Sequence, residues 1–209
     1  MTLVGADAPP VLLVRHGETD DNAALRFQGF RDPPLNARGR EQAAAIADAL
    51  AIAAEADGDL VGGGAARPGH EGVDGPVGPI AEIWVSPYQR ARQTAEIIAA
   101  RLDLPVRIDD RIAESDVGEW AGHTYAEVQA QDPAAFQAWV DGDPRHRFPG
   151  GESLLEVTER VQAAVEEARQ AGPTVLLVCH GGVIRSALRA AGYPVRTPDA
   201  ARNGEAVAL

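Results

Sequence analysis

The chain contains no lysine; all 19 of its basic residues are arginine. That absence excludes Schiff-base catalysis on a lysine amine and the phosphate loop that closes on a lysine. One cysteine, Cys179, excludes an intramolecular disulfide and a cysteine-built zinc site. It lies inside an apolar run and reads as a small buried filler. Long apolar runs are also missing, and none approaches the roughly 20 residues that cross a bilayer. The opening "MTLVGADAPP" lacks the basic and apolar regions of a secretory signal. A soluble, cytoplasmic protein with no membrane partner is the expectation. Positive charge is scarce too. Against 31 acidic residues it leaves a net charge of -12, which opposes general affinity for nucleic acid. A local arginine pocket can still hold a small anion against that global sign.

What is present reads as one domain over 1–209. Its 209 residues, 45% apolar, fill one sizeable core with a small cap. Strands are expected at "VLLV" (11–14), "AEIWVS" (81–86), "PVRI" (105–108) and "TVLLVC" (174–179), with "EAVAL" (205–209) as a last edge strand. Helical spacing puts Ala43, Ile46, Ala47 and Leu50 on one face of 38–52. It does the same for Leu154, Val157, Val161, Ala164, Val165 and Ala168 on the helix that the "SLLE" capping box opens. Ser86 and Pro87 read as N-cap and first position of a helix after the second strand, and a further helix spans about Gly182 to Ala191. A second capping box, "TYAE" (124–127), and Asp132-Pro133 start two short helices, a helical cap over 124–150. The Gly- and Pro-rich stretch 55–79 has no periodicity and reads as a flexible surface insertion. Strands alternating with helices predict an α/β fold, a three-layer α/β/α arrangement around a mostly parallel sheet with one antiparallel edge strand. Its ligand crevice belongs at the carboxyl ends of the strands.

Two apolar runs end there in His-Gly: "LVRHGETD" at His16 and "LLVCHGG" at His180. An imidazole fixed at a strand end can be a base, a metal ligand or a nucleophile. Arg15 beside His16 repels a metal ion and attracts an oxyanion. Arg90 lies four residues past Ser86, on the helix whose positive end is expected to face the same crevice. Two guanidinium forks and two histidines fit the oxygens of one phosphoryl group, which favours a nucleophilic imidazole. The leaving alkoxide then needs a proton. Glu114, in the loop "AESDVGEWAG", is the candidate, because partial burial would raise its pKa toward that of a general acid. Its neighbours Asp116 and Glu119 are alternatives. Trp120 is expected to pack and shape that loop, and Arg92 to lie on the surface. His70, His123 and His146 read as exposed loop residues, with His123 near enough to the loop to contact substrate.

The blocks "LVRHGETDDN", "FQGFRDPPLNARG", "SPYQRARQTA", "ESDVGEWAG", "PGGES" and "VCHGGVIR" resemble, in this order, the histidine phosphatase superfamily, the phosphoglycerate-mutase-like group with the Arg-His-Gly motif. The resemblance covers nearly all of the chain outside 55–79. It implies that His16 becomes phosphohistidine and that Arg15, Arg90 and His180 complete the phosphate pocket. Glu114 would be the proton donor and later the base that activates water. Asn22 would bond phosphate or substrate, and Gln28 and Gly29 would line the substrate edge. It implies neither metal nor organic cofactor.

Cofactor-dependent phosphoglycerate mutases continue from the donor Glu with Arg-His-Tyr-Gly; this chain has Ser115-Asp116-Val117-Gly118. The basic and phenolic groups suited to a second anion are missing there, as is the mutase's long insertion. A phosphatase acting on a small phosphorylated metabolite is therefore expected. The alternatives are a phosphoglycerate-type mutase and an inactive phospho-ligand binding module. Arg145 and Arg147 either recognise a second anionic group at the pocket mouth or stay solvated.

Overall fold

The computed structural model describes residues 11–55, 79–193, 195 and 202–209. The stretch 55–79, apart from its two ends, and His70 within it lie outside the described residues. Strands β1 (Val11–Arg15), β2 (Ile80–Val85), β3 (Val106–Ile108), β4 (Thr174–Cys179) and β5 (Ala206–Ala208) form one sheet in the order β3-β2-β4-β1-β5. β1 to β4 run parallel, and β5 lies antiparallel on the edge beside β1. Among the described residues no helix is long and apolar enough to cross a membrane.

Side chains on a strand alternate between faces, and here both faces are covered. Val11, Leu13, Val175, Leu177 and Cys179 meet helices α6 (Leu154–Gln170) and α7 (Gly181–Ala190). Leu12, Val14, Ile83, Leu176 and Val178 meet α2 (Ala37–Glu55) and α3 (Gln89–Leu102). Burial on two sides is why these strands read as unbroken apolar runs. On α6, Leu154, Val157, Val161, Ala164, Val165 and Ala168 are all buried, the face that the 3- and 4-residue spacing defines. The layers are therefore α/β/α. A third cluster gathers Phe27, Trp120, Val128, Trp139 and Phe148 around the short helices α4 (Tyr125–Gln131) and α5 (Pro133–Asp141). Thr124 and Glu127 cap α4 reciprocally, Asp132 caps α5 ahead of Pro133, and Gly142 closes it at a φ of 71°.

One helix start differs from its reading. α3 begins at Gln89 with Tyr88 as N-cap, so Ser86 and Pro87 precede it. The Ser86 hydroxyl is engaged by His180 and does not cap a helix.

The β1–β4 register positions the site. Arg15 pairs with Cys179, and the His16 N–H donates to the Cys179 carbonyl over 3.0 Å. His16 and His180 thus leave adjacent strands at the same level. The following corner is held by close backbone contact. The Gly17 N–H donates to Thr94 Oγ1 on α3 (3.1 Å), and Asn36 N–H at the start of α2 donates to the Glu18 carbonyl (3.0 Å). A Cβ on Gly17 would strike the Gly39 carbonyl, and one on Gly39 would strike the Glu18 carbonyl. Gly39→Ala is accordingly expected to lower stability by about 1–3 kcal/mol, the usual cost of overpacking. Urea unfolding measures it, and wild-type stability in the variant would disprove this account of the corner.

Candidate active site

His16 is 1% exposed, and its Nδ1 lies 2.6 Å from the Gly17 carbonyl. A carbonyl only accepts, so Nδ1 carries the proton and Nε2 keeps its lone pair. Burial first, then the charges of Arg90 and Arg15, hold the imidazole pKa well below its ordinary value. The ring is therefore neutral, as a nucleophile requires.

The His180 ring centroid lies 5.1 Å from that of His16. Its Nε2 is 2.7 Å from Ser86 Oγ, which itself accepts from the Tyr88 N–H at 3.4 Å. The serine hydroxyl can donate to or accept from Nε2, and in the tautomer where it donates the imidazole proton sits on Nδ1. Nδ1 has no hydrogen-bond partner and stands 4.0 Å from Glu114 Oε2. Burial, then Arg90, His16 and Arg15, depress this pKa as well. The pair offers one lone pair and one free N–H donor, an arrangement that can bind and attack one phosphoryl group.

Arg90 is fully buried. Its guanidinium donates to the carbonyls of Arg31 (2.8 Å) and Gly29 (3.3 Å), sits over the Tyr88 ring, and lies 3.8 Å from Asp32. Arg15 sets its guanidinium against Gly181, about where a Cβ there would make van der Waals contact. The helix start at this place is that of α7. The α3 start, expected to face the crevice, is instead capped by Asp32, which accepts from the Gln89 N–H at 2.6 Å.

Glu114 comes up to the α7 start because Gly182 has no side chain; a Cβ there would meet Glu114 Oε1. That oxygen accepts from the Ser115 N–H at 3.0 Å. The loop is pinned from α6. Arg160 donates to the carbonyls of Arg111 and Ala113 (both 2.8 Å) and forks onto Glu152. Neither neighbouring acid takes the place of Glu114. Asp116 accepts from the Gly118 N–H, and Glu119 is exposed.

These groups surround a cavity that opens to solvent. Arg15, His16, Asn22, Gln28, Gly29 and Glu114 line it, while Arg90 and His180 are fully buried and are not among its lining residues. Asn22 is held by a reciprocal cap with Thr19, and the Thr19 hydroxyl also donates to Gln28 Oε1. Among the described residues no group of three or more His, Cys, Asp or Glu could hold a metal ion.

The sequence reading passed over four contributors. Ser86 bonds His180 Nε2 and Arg160 pins the Glu114 loop. Asn203 donates to the His16 carbonyl (2.9 Å) from the C-terminal segment. Arg185 lines the cavity. Arg185, within the quoted "VCHGGVIR", and Ser86, at the head of "SPYQRARQTA" and read there as an N-cap, sat in stretches already singled out. His146, read as exposed, is 8% exposed and packs on Trp120 and Phe148. His123 and Arg92 are exposed, and Trp120 is buried in the aromatic cluster. Arg145 and Arg147 do not line the cavity; they pair with Asp143 (2.9 Å) and Glu156 (2.7 Å).

The profile of the histidine phosphatase superfamily (branch 1) matches residues 11–57 and 76–206. Phosphoserine phosphatase 1 of Hydrogenobacter thermophilus is 35% identical over 172 residues, 81% of this chain and 70% of that protein. Glucosyl-3-phosphoglycerate phosphatase of Mycolicibacterium vanbaalenii is 36% identical over 196 residues, covering 88% and 75%. A probable phosphoglycerate mutase of Proteus mirabilis is 35% identical over 173 residues, covering 82% and 69%. Among solved structures, a mycobacterial glucosyl-3-phosphoglycerate phosphatase in complex with VO3 superposes with a TM-score of 0.73. The two are 29% identical, over 97% of this chain and 91% of that one.

Two histidines buried neutral give the fold a pH signature. Below the unfolded-state value of about 6.5 the unfolded chain takes up protons that the native state refuses. Stability should therefore fall with acidification, by about 1.4 kcal/mol per pH unit for each such histidine until its native value is reached. A surface carboxylate such as Glu156, lowered to about 2 by its bond with Arg147, stays ionised through this window. Denaturant unfolding from pH 7 to 5 in phosphate-free buffer is expected to show the decline, and His16→Asn to reduce its slope. A slope unchanged by His16→Asn would rule out a neutral, depressed His16.

Proposed function

We propose a catalytic cycle for this chain, which belongs to branch 1 of the histidine phosphatase superfamily and is a phosphoric monoester hydrolase. His16 Nε2 attacks phosphorus, forming the N–P bond as the P–O ester bond breaks. The observation that carries this reading is the Nδ1–H bond to the Gly17 carbonyl. It leaves the lone pair on Nε2, and it stabilises the positive charge that spreads over the ring as the new bond forms. Arg15, Arg90 and the Nδ1–H of His180 hold the phosphoryl oxygens, with Asn22 bonding phosphate or substrate and Gln28 and Gly29 bordering the substrate.

Glu114, entering protonated, gives its proton to the departing alkoxide. Its carboxylate then takes a proton from a water molecule whose oxygen attacks the phosphohistidine. The P–N bond breaks with its electrons returning to Nε2, inorganic phosphate leaves, and Glu114 is protonated again. No metal or organic cofactor enters this cycle. An open cavity favours water as the acceptor over retention of a bisphosphate, the behaviour of a phosphatase and not of a mutase. The acidic composition and a crevice open to solvent suit a cytoplasmic enzyme acting on a small phosphorylated metabolite, with neither nucleic acid nor membrane as partner.

His16→Ala is expected to lower kcat for p-nitrophenyl phosphate roughly 10³-fold or more while far-ultraviolet circular dichroism stays native. A folded variant that still turns over refutes the nucleophile. Glu114→Gln should slow alkyl phosphates by about 10²-fold or more and p-nitrophenyl phosphate much less, since a phenolate leaves with less need of a proton. Equal losses on both substrates would remove Glu114 from the role of acid.

A further inference from the structure

The wall of the cavity carries a cation that this cycle does not use. Arg185 follows Gly181 by four residues on α7, one turn and about 6 Å further from the helix start. Its side chain lines the same cavity as His16 and Glu114, yet the residue is only 9% exposed. The guanidinium lies over the Trp139 ring of α5, with Cζ 4.6 Å from the ring centroid. Among the described residues it forms no hydrogen bond and no ion pair, in contrast to Arg90, Arg160 and Arg189, whose guanidinium groups are all engaged. Burial lowers its pKa to about 10, with Tyr125 and Glu114 opposing the shift. A charged group with five donors is seldom buried without partners, because desolvation goes uncompensated. The residue it most needs is an anion, and the cavity is where one can enter.

We infer that Arg185 is a specificity-determining residue that receives a carboxylate on the organic part of the substrate, so that the preferred substrates are phosphomonoesters of small hydroxy acids. Trp139 occupies one face of the guanidinium, leaving the N–H edge for coplanar, two-point bonding, and a carboxylate matches that edge. Glu114 and Tyr125 line the same cavity. The inference rests on the hydrolase reading above. It adds a second anchor, on α7 and α5, separate from the groups that hold phosphorus.

The test compares 3-phosphoglycerate with glycerol 3-phosphate, which differ only in carboxylate against hydroxymethyl. Binding is measured by calorimetry in a His16→Ala background, so that turnover does not intervene, with and without Arg185→Gln. The His16→Ala protein should bind the acid at least about 30-fold more tightly than the alcohol, the scale of hydrogen bonds to a buried charge. Adding Arg185→Gln should collapse that ratio toward one. No discrimination in the parent, or equal weakening of both ligands by Arg185→Gln, overturns the assignment. If the Gln variant does not fold, Arg185→Lys, which keeps charge and loses the fork, should cut the ratio at least about fivefold; an unchanged ratio is again fatal. Phosphate release from p-nitrophenyl phosphate by the wild type is read separately. Its absence would strike the hydrolase reading, while the binding ratio still judges Arg185.

Discussion

The pairing of Arg15 with Cys179 across β1 and β4 is the constraint on which the site depends. In a parallel pair both strands end on the same side, so two His-Gly corners 164 residues apart emerge together. A slip of one residue would turn Leu13 and Val14 to opposite faces and drive the imidazoles apart. Burial of both faces of the sheet forbids that slip, because each strand residue already packs against α6 and α7 or against α2 and α3. The core thus fixes the catalytic geometry, and the 5.1 Å between the rings follows from it.

The site is strongly cationic inside a chain of net charge -12. Both imidazoles stay neutral because burial and the neighbouring guanidinium groups act in the same direction. The arginines do two things at once. In the proposed cycle they attract a phosphoryl dianion, and by repelling a proton from His16 they keep its lone pair available. A backbone acceptor then chooses which His16 nitrogen carries that lone pair: the Gly17 carbonyl takes the Nδ1 proton, while the Ser86 hydroxyl engages His180 Nε2. Glycines make this density possible. Gly17 and Gly39 let two backbones touch, and Gly182 lets Glu114 reach the α7 start.

Much of this was legible in the linear chain, for identifiable reasons. Apolar runs marked β1 and β4, since a strand buried on both sides has no polar face to alternate. α6 was readable residue by residue from its capping box and its 3- and 4-residue spacing. Local chemistry failed at Ser86. The Ser-Pro pair obeys the capping rule, but the competing partner, His180, is 94 residues away and cannot be seen locally. His146 misled for the same reason: the residues that bury it, Trp120 and Phe148, come together only when the aromatic cluster forms. Arg145 and Arg147 were open between anion contacts and solvated groups, and they pair with Asp143 and Glu156, while Arg185, which lines the cavity with Arg15 and Arg26, sat inside a helix pattern.

The sequence by itself determined the class of chemistry: two His-Gly strand ends, arginines without a single lysine, and an acid in the loop after the third strand. Those are short-range signals, carried by residue type and position relative to element ends. Tertiary structure alone decided which His16 nitrogen holds a proton, which acid reaches the α7 start, and which buried cation has no hydrogen bond or ion pair among the described residues. Each of these depends on groups distant in the chain meeting within a few ångströms, where hydrogen bonding and desolvation act and local propensity says nothing.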